Sequence, residues 1–495
     1  MRHSREYVPH HEKKKPVYDL PLNLDSVQEV FANCADFASR EIALAEGSPG
    51  TVCWIDGLVK SERLNDYVLR PLIAGPVPAA ASQVEQVLAG GVWNLDVTVQ
   101  LTVDDTVEAM LDGSCAIFLT DGVLTCSVQT EEKRNVESPE NEIEAKGARD
   151  SFVESVRTST SLVRRRLKSA KVKVSEQLVG RTSGTAVDVL WVEDVTNPDL
   201  VRQVEARLAE MDIDALLSVA DVEEYIVDSS RTVFPQVIFT ERPDRFCRGL
   251  MDGQVGMLVD GIPMGCLLPC DLNQFLRAPQ DRSYHWLSAS LLILLRYTCM
   301  VLTVLLPGFF IAMVSFHLQM IPTDLALSII ASKLDVPFST QFEVLVMMMA
   351  FEVLQEAGLR MPSTIGQSVS IIGALVVGQA AVEAKIVSPA VIIVVAAAGI
   401  AVFTMPNQDF ANGLRVWRFL AALGASFAGL FGLMIVSTAM VHQLAKMKSF
   451  GVCYLSPFSP GAWQQKGGEW VLRGPMPSVK LRDLSLGPEE KRRQK

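Results

Sequence analysis

The sequence lacks the arrangements on which enzymes and metal proteins most often depend. Its nine cysteines include no CxxC pair, and the closest couple, Cys266 and Cys270, lies in an apolar run. Reduced core thiols are therefore expected, not a disulfide framework. The six histidines are His3, His10, His11, His285, His317 and His442, and none has ligand spacing to a cysteine or carboxylate. There is no glycine-rich phosphate loop and no G-x-S-x-G elbow. These absences predict a protein that is not an enzyme and that holds no metal or other cofactor. A formal net charge of −11 speaks against a general nucleic-acid binder. Met1–Pro16 is polar and basic with no apolar core behind it, so it does not read as a signal peptide. The first domain is accordingly expected on the cytoplasmic side.

What is present is a chain of two characters. A fifth of the residues are charged, yet apolar residues crowd between Leu287 and Val441. The expected fold is mixed: a cytosolic α/β N-terminal half of two related subdomains, then an all-α multi-pass transmembrane half. The boundaries read as a flexible tail over 1–24, subdomain 1 over 25–135, a charged linker over 136–150 and subdomain 2 over 151–283. A transmembrane domain over 284–445 and a polar C-terminal tail over 446–495 complete the chain, with Gly467–Lys495 Pro-rich, basic at its end and expected to be disordered.

In the first half, Val27–Ala45 has helical apolar spacing and Thr51–Ile55 reads as a strand. A weak repeat follows. Asp112-Gly113 and Asp121-Gly122 flank one strand, and Asp252-Gly253 and Asp260-Gly261 flank another. Asp-Gly suits a tight turn because glycine accepts positive φ, so hairpin chemistry alone explains the pairs. The repeat itself suggests the two related subdomains. Ser151–Lys173 reads as a basic helix. Its Arg164, Arg165 and Arg166 are candidate contacts for a partner or an acidic headgroup, or else a solvated face with internal ion pairs.

The membrane half is organised around Pro362–Met405. Ile386–Met405 carries no charge and suffices to cross about 30 Å of hydrocarbon. Leu287–Val314, with Arg296 snorkelling to the interface, and Phe419–Val441 are the other strong spans. Four to five spans in all are expected. Before Ile386, the polar Gln367, Ser370, Gln379 and Glu383 sit among Gly and apolar residues. Polar groups at membrane depth normally face a partner helix or a wet cavity, which makes these four candidate pore or gating residues. Gly366, Ser370, Gly373 and Val377 share a helical face, and with Gly378 they are candidates for close helix packing. Glu352, on the amphipathic stretch Gln341–Ala357, either lines a cation path or is an ordinary interfacial charge. Arg415 and Arg418 precede the last span and Lys446 and Lys448 follow it. For one crossing these charges argue opposite ways about the C-terminal side.

Several runs carry a resemblance: WIDGLV (Trp54–Val59), SFVESVRTSTSLVRRRL (Ser151–Leu167), FPQVIFTERPDR (Phe234–Arg245), MIPTDLALSI (Met320–Ile329), the long run Phe351–Pro389, and SFGVCYLSPFSP (Ser449–Pro460). Together they resemble the A subunit of the GerA family of spore germinant receptors, to which the related stage V sporulation protein AF also belongs. The likeness runs from about residue 27 to 460. Ser159 departs from it, since Asn is expected there in most relatives. The resemblance implies a multi-pass protein of the spore inner membrane that acts with a transporter-like B subunit and a lipoprotein C subunit. It implies a ring homo-oligomer in membrane lipid that releases monovalent cations when a small nutrient is sensed mainly at B. A non-conducting scaffold or signal relay is the alternative. A secondary transporter is weaker still, because repetition is seen only in the soluble half.

Overall fold

The computed structural model describes residues 18–44, 47–75, 82–129, 139, 142, 147–359, 378–456, 458–459 and 471–493. The chain forms two compact units. One comprises Met1–Ile226, Phe239–Leu268 and Leu486–Lys491, and the other Val227–Ile238, Pro269–Ser485 and Arg492–Lys495.

The first unit holds two five-stranded sheets. After helix α1 (Leu24–Val30) come β1 (Phe37–Ala43), β2 (Pro49–Ile55), β3 (Val97–Gln100), helix α2 (Val103–Leu111), β4 (Ser114–Phe118) and β5 (Val123–Ser127). The second set is helix α3 (Val156–Arg166), β6 (Val172–Val179), β7 (Thr185–Val192), helix α4 (Pro198–Ala209), β8 (Ile238–Thr240), helix α5 (Pro243–Asp252), β9 (Val255–Val259) and β10 (Gly265–Leu268). The sheet orders are β1-β2-β4-β5-β3 and β6-β7-β9-β10-β8, so both run first, second, fourth, fifth, third. The Asp-Gly repeat marks equivalent places in the two sheets. Gly113 (φ 89°) and Gly253 (φ 101°) each turn the chain from a helix into the fourth strand of its sheet, in a conformation other residues rarely adopt.

One helix expected from spacing is cut short. The apolar period holds over α1, which is capped by Asn23. Asn33 then takes a left-handed φ of 59°. The chain continues as β1, antiparallel to β2 from Phe37↔Ile55 to Ala43↔Pro49. Backbone pairing with a ready strand overrides a pattern that no longer repeats.

The second unit is helical. It contains α6 (Leu272–Leu276), α7 (Trp286–Ser315), α8 (Thr323–Lys333), α9 (Thr340–Leu359), α10 (Pro389–Val402) and α11 (Gln408–Lys446). By length and composition, α7 and α11 are the two described helices able to cross a membrane. The stretch expected to span at Ile386–Met405 forms a helix of 14 residues, about 21 Å at 1.5 Å per residue and short of a bilayer core.

The expected span Phe419–Val441 is not one crossing. Helical geometry breaks at Ala428 (φ −135°, ψ 17°) and Gly429 (φ 60°, ψ −137°). A Cβ on Gly432 would lie 2.0 Å from the Gly424 carbonyl oxygen, whereas eight residues of straight helix rise about 12 Å. Both ends of α11 also meet the same short segment. Phe410 packs against Phe234 in a tilted ring contact, centroids 5.8 Å apart, and Gln443 donates to Thr232 Oγ1 at 2.9 Å. The helix therefore doubles back as a hairpin. α7 runs beside it. Gly308 approaches Ala421 and Leu433, and Phe316 reaches the turn at Gly429. Arg296 does not snorkel. It is buried in a bidentate pair with Asp281, at 2.5 and 2.9 Å.

The C-terminal tail is ordered over the described residues 471–493. Arg493 N–H donates to the Lys480 carbonyl, Leu481 bridges Arg492, and Val479, Arg482 and Leu486 are buried.

Candidate functional site

Two places concentrate polar chemistry. The first is the junction of the two sheet domains, built around α3. Arg164 is the largest wholly buried side chain. Its Nε and Nη2 grip Asp36 at 2.7 and 2.8 Å, and its Nη1 donates to the Val172 carbonyl at 2.6 Å. The expected surface contact at Arg164 is thus corrected: this guanidinium locks one domain to the other. Arg166 pairs with Asp150, and Arg165 is half-buried. Arg157, two turns earlier on the same face of the helix, reaches Glu176 and lies 3.7 Å from both Asp56 and Asp188. Gly57 of the Asp56-Gly57 turn packs on α3, where a Cβ would fall 2.9 Å from the Arg157 carbonyl oxygen. Ser159, the departure from the family pattern, is satisfied locally by accepting from Val153 N–H and donating to Val153 carbonyl.

Asp188 is fully buried on β7. Its Oδ2 accepts from Thr160 at 2.7 Å, while Oδ1 is without a hydrogen-bond partner. Burial pushes its carboxyl from 3.8 to about 6, against the lowering effect of Thr160 and Arg157. The folded form therefore holds a proton that the unfolded form releases between about pH 4 and 6. Stability contributed by this group is lost as pH rises through that window. Asp188→Asn is expected to flatten the loss, gaining roughly 1–3 kcal/mol on wild type between pH 4 and 7. Melting temperatures of both proteins across that range check it.

Beside the junction lies a cleft of about 850 Å³. Asn33 and Ala35 of one domain form one side of it. Trp191, Glu193 and Asp194 from the end of β7 and Glu205 from α4 form another. Arg202 lines it as well, and Asp194 and Glu193 are paired with Lys171 and Lys173, so both signs of charge surround the Trp191 ring. Backbone pairing of Ala35 and Val174 with each other and with Asn33 seals the adjoining edge of β6.

The second place is the helical unit. Glu352 on α9 pairs with Arg418 on α11, and Arg415 lies 3.8 Å away. Both arginines lie in the first arm of the hairpin. Gln379 donates to Glu383 at 2.9 Å, and both side chains are exposed. Gly378 is buried against Ile392. Gln367, Ser370, Gly366 and Gly373 lie outside the described residues. A third knot closes the start of α10: Glu343 is buried, accepts from Ser388 N–H at 2.8 Å and pairs with Lys333 at 3.2 Å. Among the described residues no cysteine forms a disulfide, and eight of the nine are buried. Among the described residues no His, Cys, Asp and Glu side chains cluster to hold a metal ion.

The family described as Bacillus/Clostridium GerA spore germination protein matches residues 25–484, nearly the whole chain. The chain belongs to the GerA family. Among GerA relatives, spore germination protein B1 of Bacillus subtilis is 32% identical, covering 96% of this chain and 99% of its own. Spore germination protein KA of the same organism is 32% identical over 98% and 90%. GerLA of Bacillus cereus is 30% identical over 93% and 94%. Of solved structures, the N-terminal domain of the A subunit of the Bacillus megaterium spore germinant receptor GerK3 aligns with 51% of this chain and 97% of that one. Its TM-score is 0.40 at 23% identity. The two GerA motifs singled out in the first half, WIDGLV and SFVESVRTSTSLVRRRL, meet at the junction through Gly57, Asp56 and Arg157. Sequence reasoning missed the cleft and the hairpin. Only the glycines at 424, 429 and 432 signalled the second.

Proposed function

We propose that this chain is a membrane-embedded subunit of a spore germinant receptor, acting as a multi-pass protein with its α/β unit on the cytoplasmic side of the spore inner membrane. Full-length similarity to named spore germination proteins is the observation that carries this reading. The α11 hairpin supports it electrostatically. With both ends on one face, Arg415 and Arg418 in the first arm and Lys446 and Lys448 at the end of the second favour the same, cytoplasmic side. Large apolar side chains of α7 and α11, such as Leu291, Leu294, Phe431 and Met434, are exposed, as a lipid-facing surface requires.

Within the receptor, the chain forms a ring of its own copies beside the B and C subunits and conducts monovalent cations when a nutrient is bound. The exposed Gln379–Glu383 pair supports a lumen-facing role, because no described residue covers it. Gln367 and Ser370 belong to the same proposed lining. Glu352 is neutralised by Arg418 and Arg415, which favours a fixed brace over a cation path there. That brace also favours the second reading, a non-conducting scaffold. No enzymatic step is proposed.

Potassium efflux from liposomes separates the two. In the assembled receptor, replacing both Gln379 and Glu383 by Leu is expected to cut nutrient-triggered efflux at least about fivefold, a loss of roughly one favourable polar interaction at the ion's path. Unchanged efflux in an intact complex removes them from the path.

A further inference from the structure

The end of the chain returns to the α/β unit. Leu486–Lys491 clusters with that unit although its neighbours there lie far back in the sequence. Glu489 N–H donates to the Val195 carbonyl at 3.1 Å and Glu490 N–H to the Asp194 carbonyl at 2.9 Å. Gly487 bends the segment with a φ of 62°. Leu486 and Pro488 are buried, and Pro488 packs against Gly253.

The dock is the loop that leaves β7 and enters α4. Asp194 holds a left-handed φ of 66°, a conformation a non-glycine residue keeps only when its neighbours fix it. Lys171 fixes its side chain at 2.5 Å. The two backbone bonds from the C-terminal segment fix its peptide and the next. The same loop and α4 form one wall of the cleft, and Glu489 itself lines that cleft. Segment, loop and wall are one connected piece.

We propose that Leu486–Lys491 is a releasable strap that sets the position of this wall. Among the described residues, two backbone hydrogen bonds and the packing of Leu486 and Pro488 hold the segment, contacts local enough to open without unfolding the sheets. Release exposes the Asp194 and Val195 carbonyls to water, frees the start of α4 and withdraws the Glu489 carboxylate from the cleft. Any molecule that touches this wall then prefers one of the two strap states.

Hydrogen exchange on the full-length protein in lipid nanodiscs tests the strap without knowledge of a ligand. Glu489→Pro removes one donor, and a chain ending at Ser485 removes the whole segment. Glu489→Ala keeps the backbone donor. Amides of residues 195–204 are expected to exchange about tenfold faster in the first two and at the wild-type rate in the third, with β4 and β9 unchanged. Equal exchange over 195–204 in Glu489→Pro and wild type overturns the proposal. So does an equal loss of protection at β4 and β9, which makes the segment a general support and not a strap. Where the shortened chain does not fold, the Glu489→Pro result decides.

Discussion

Replacing Arg164 with alanine is expected to cost the α/β unit about 3–5 kcal/mol, enough to lose its fold at ordinary temperature. Both Arg164 and Asp36 are about 1% exposed. Alanine leaves the Asp36 carboxylate buried beside a void, with no cation to balance it and no water to solvate it. The Val172 carbonyl also loses its 2.6 Å donor. The magnitude follows from this uncompensated charge and not from the attraction of the pair itself, which desolvation largely offsets. Arg164→Met with Asp36→Leu, which removes both charges and keeps apolar volume, should therefore be milder than Arg164→Ala alone. Pulse proteolysis of the full-length protein across a urea series measures both. A double variant as unstable as the single one would show that the geometry of the pair, not its charge balance, holds the junction.

Gly432→Val is expected to prevent the α11 hairpin from closing. The glycine sits against the Gly424 backbone, which cannot yield as a side-chain tip can. Gly432→Ala should already lower the yield of monodisperse protein, and valine should abolish it. The hairpin itself is measurable in the wild type by the distance between spin labels at Asp409 and Gln443. A continuous helix separates them by about 50 Å. Packed antiparallel arms, with axes about 8–10 Å apart, bring them within about 20 Å.

Local chemistry in this chain was legible and long-range pairing was not. The Asp-Gly repeat could be read because a turn is written in two adjacent residues, and it led to two sheets of one strand order. Helix α4 could be read for the same reason, from Asn197 as its cap and Pro198 in its first turn. Arg164 looked like the centre of a basic surface because its partner lies 128 residues away, where no pattern in α3 points. β1 was hidden by an apolar spacing that α1 shares and then abandons. The hairpin was hidden for a different reason. Apolar composition runs unbroken through both arms, and small residues signal close backbone approach without saying to what. Here the approaching backbone is the same segment on its return. Placing Arg415 and Arg418 before the last span added to the error, since both lie within α11 and are balanced there by Glu352.

The most direct measurement is potassium efflux from liposomes that hold this chain alone, its B and C partners alone, or all three, each with and without a panel of nutrients. A conducting subunit predicts nutrient-dependent efflux only where this chain is present. Efflux from the partners alone, or none from an intact three-part complex under any nutrient, would contradict conduction by this chain and leave it the scaffold.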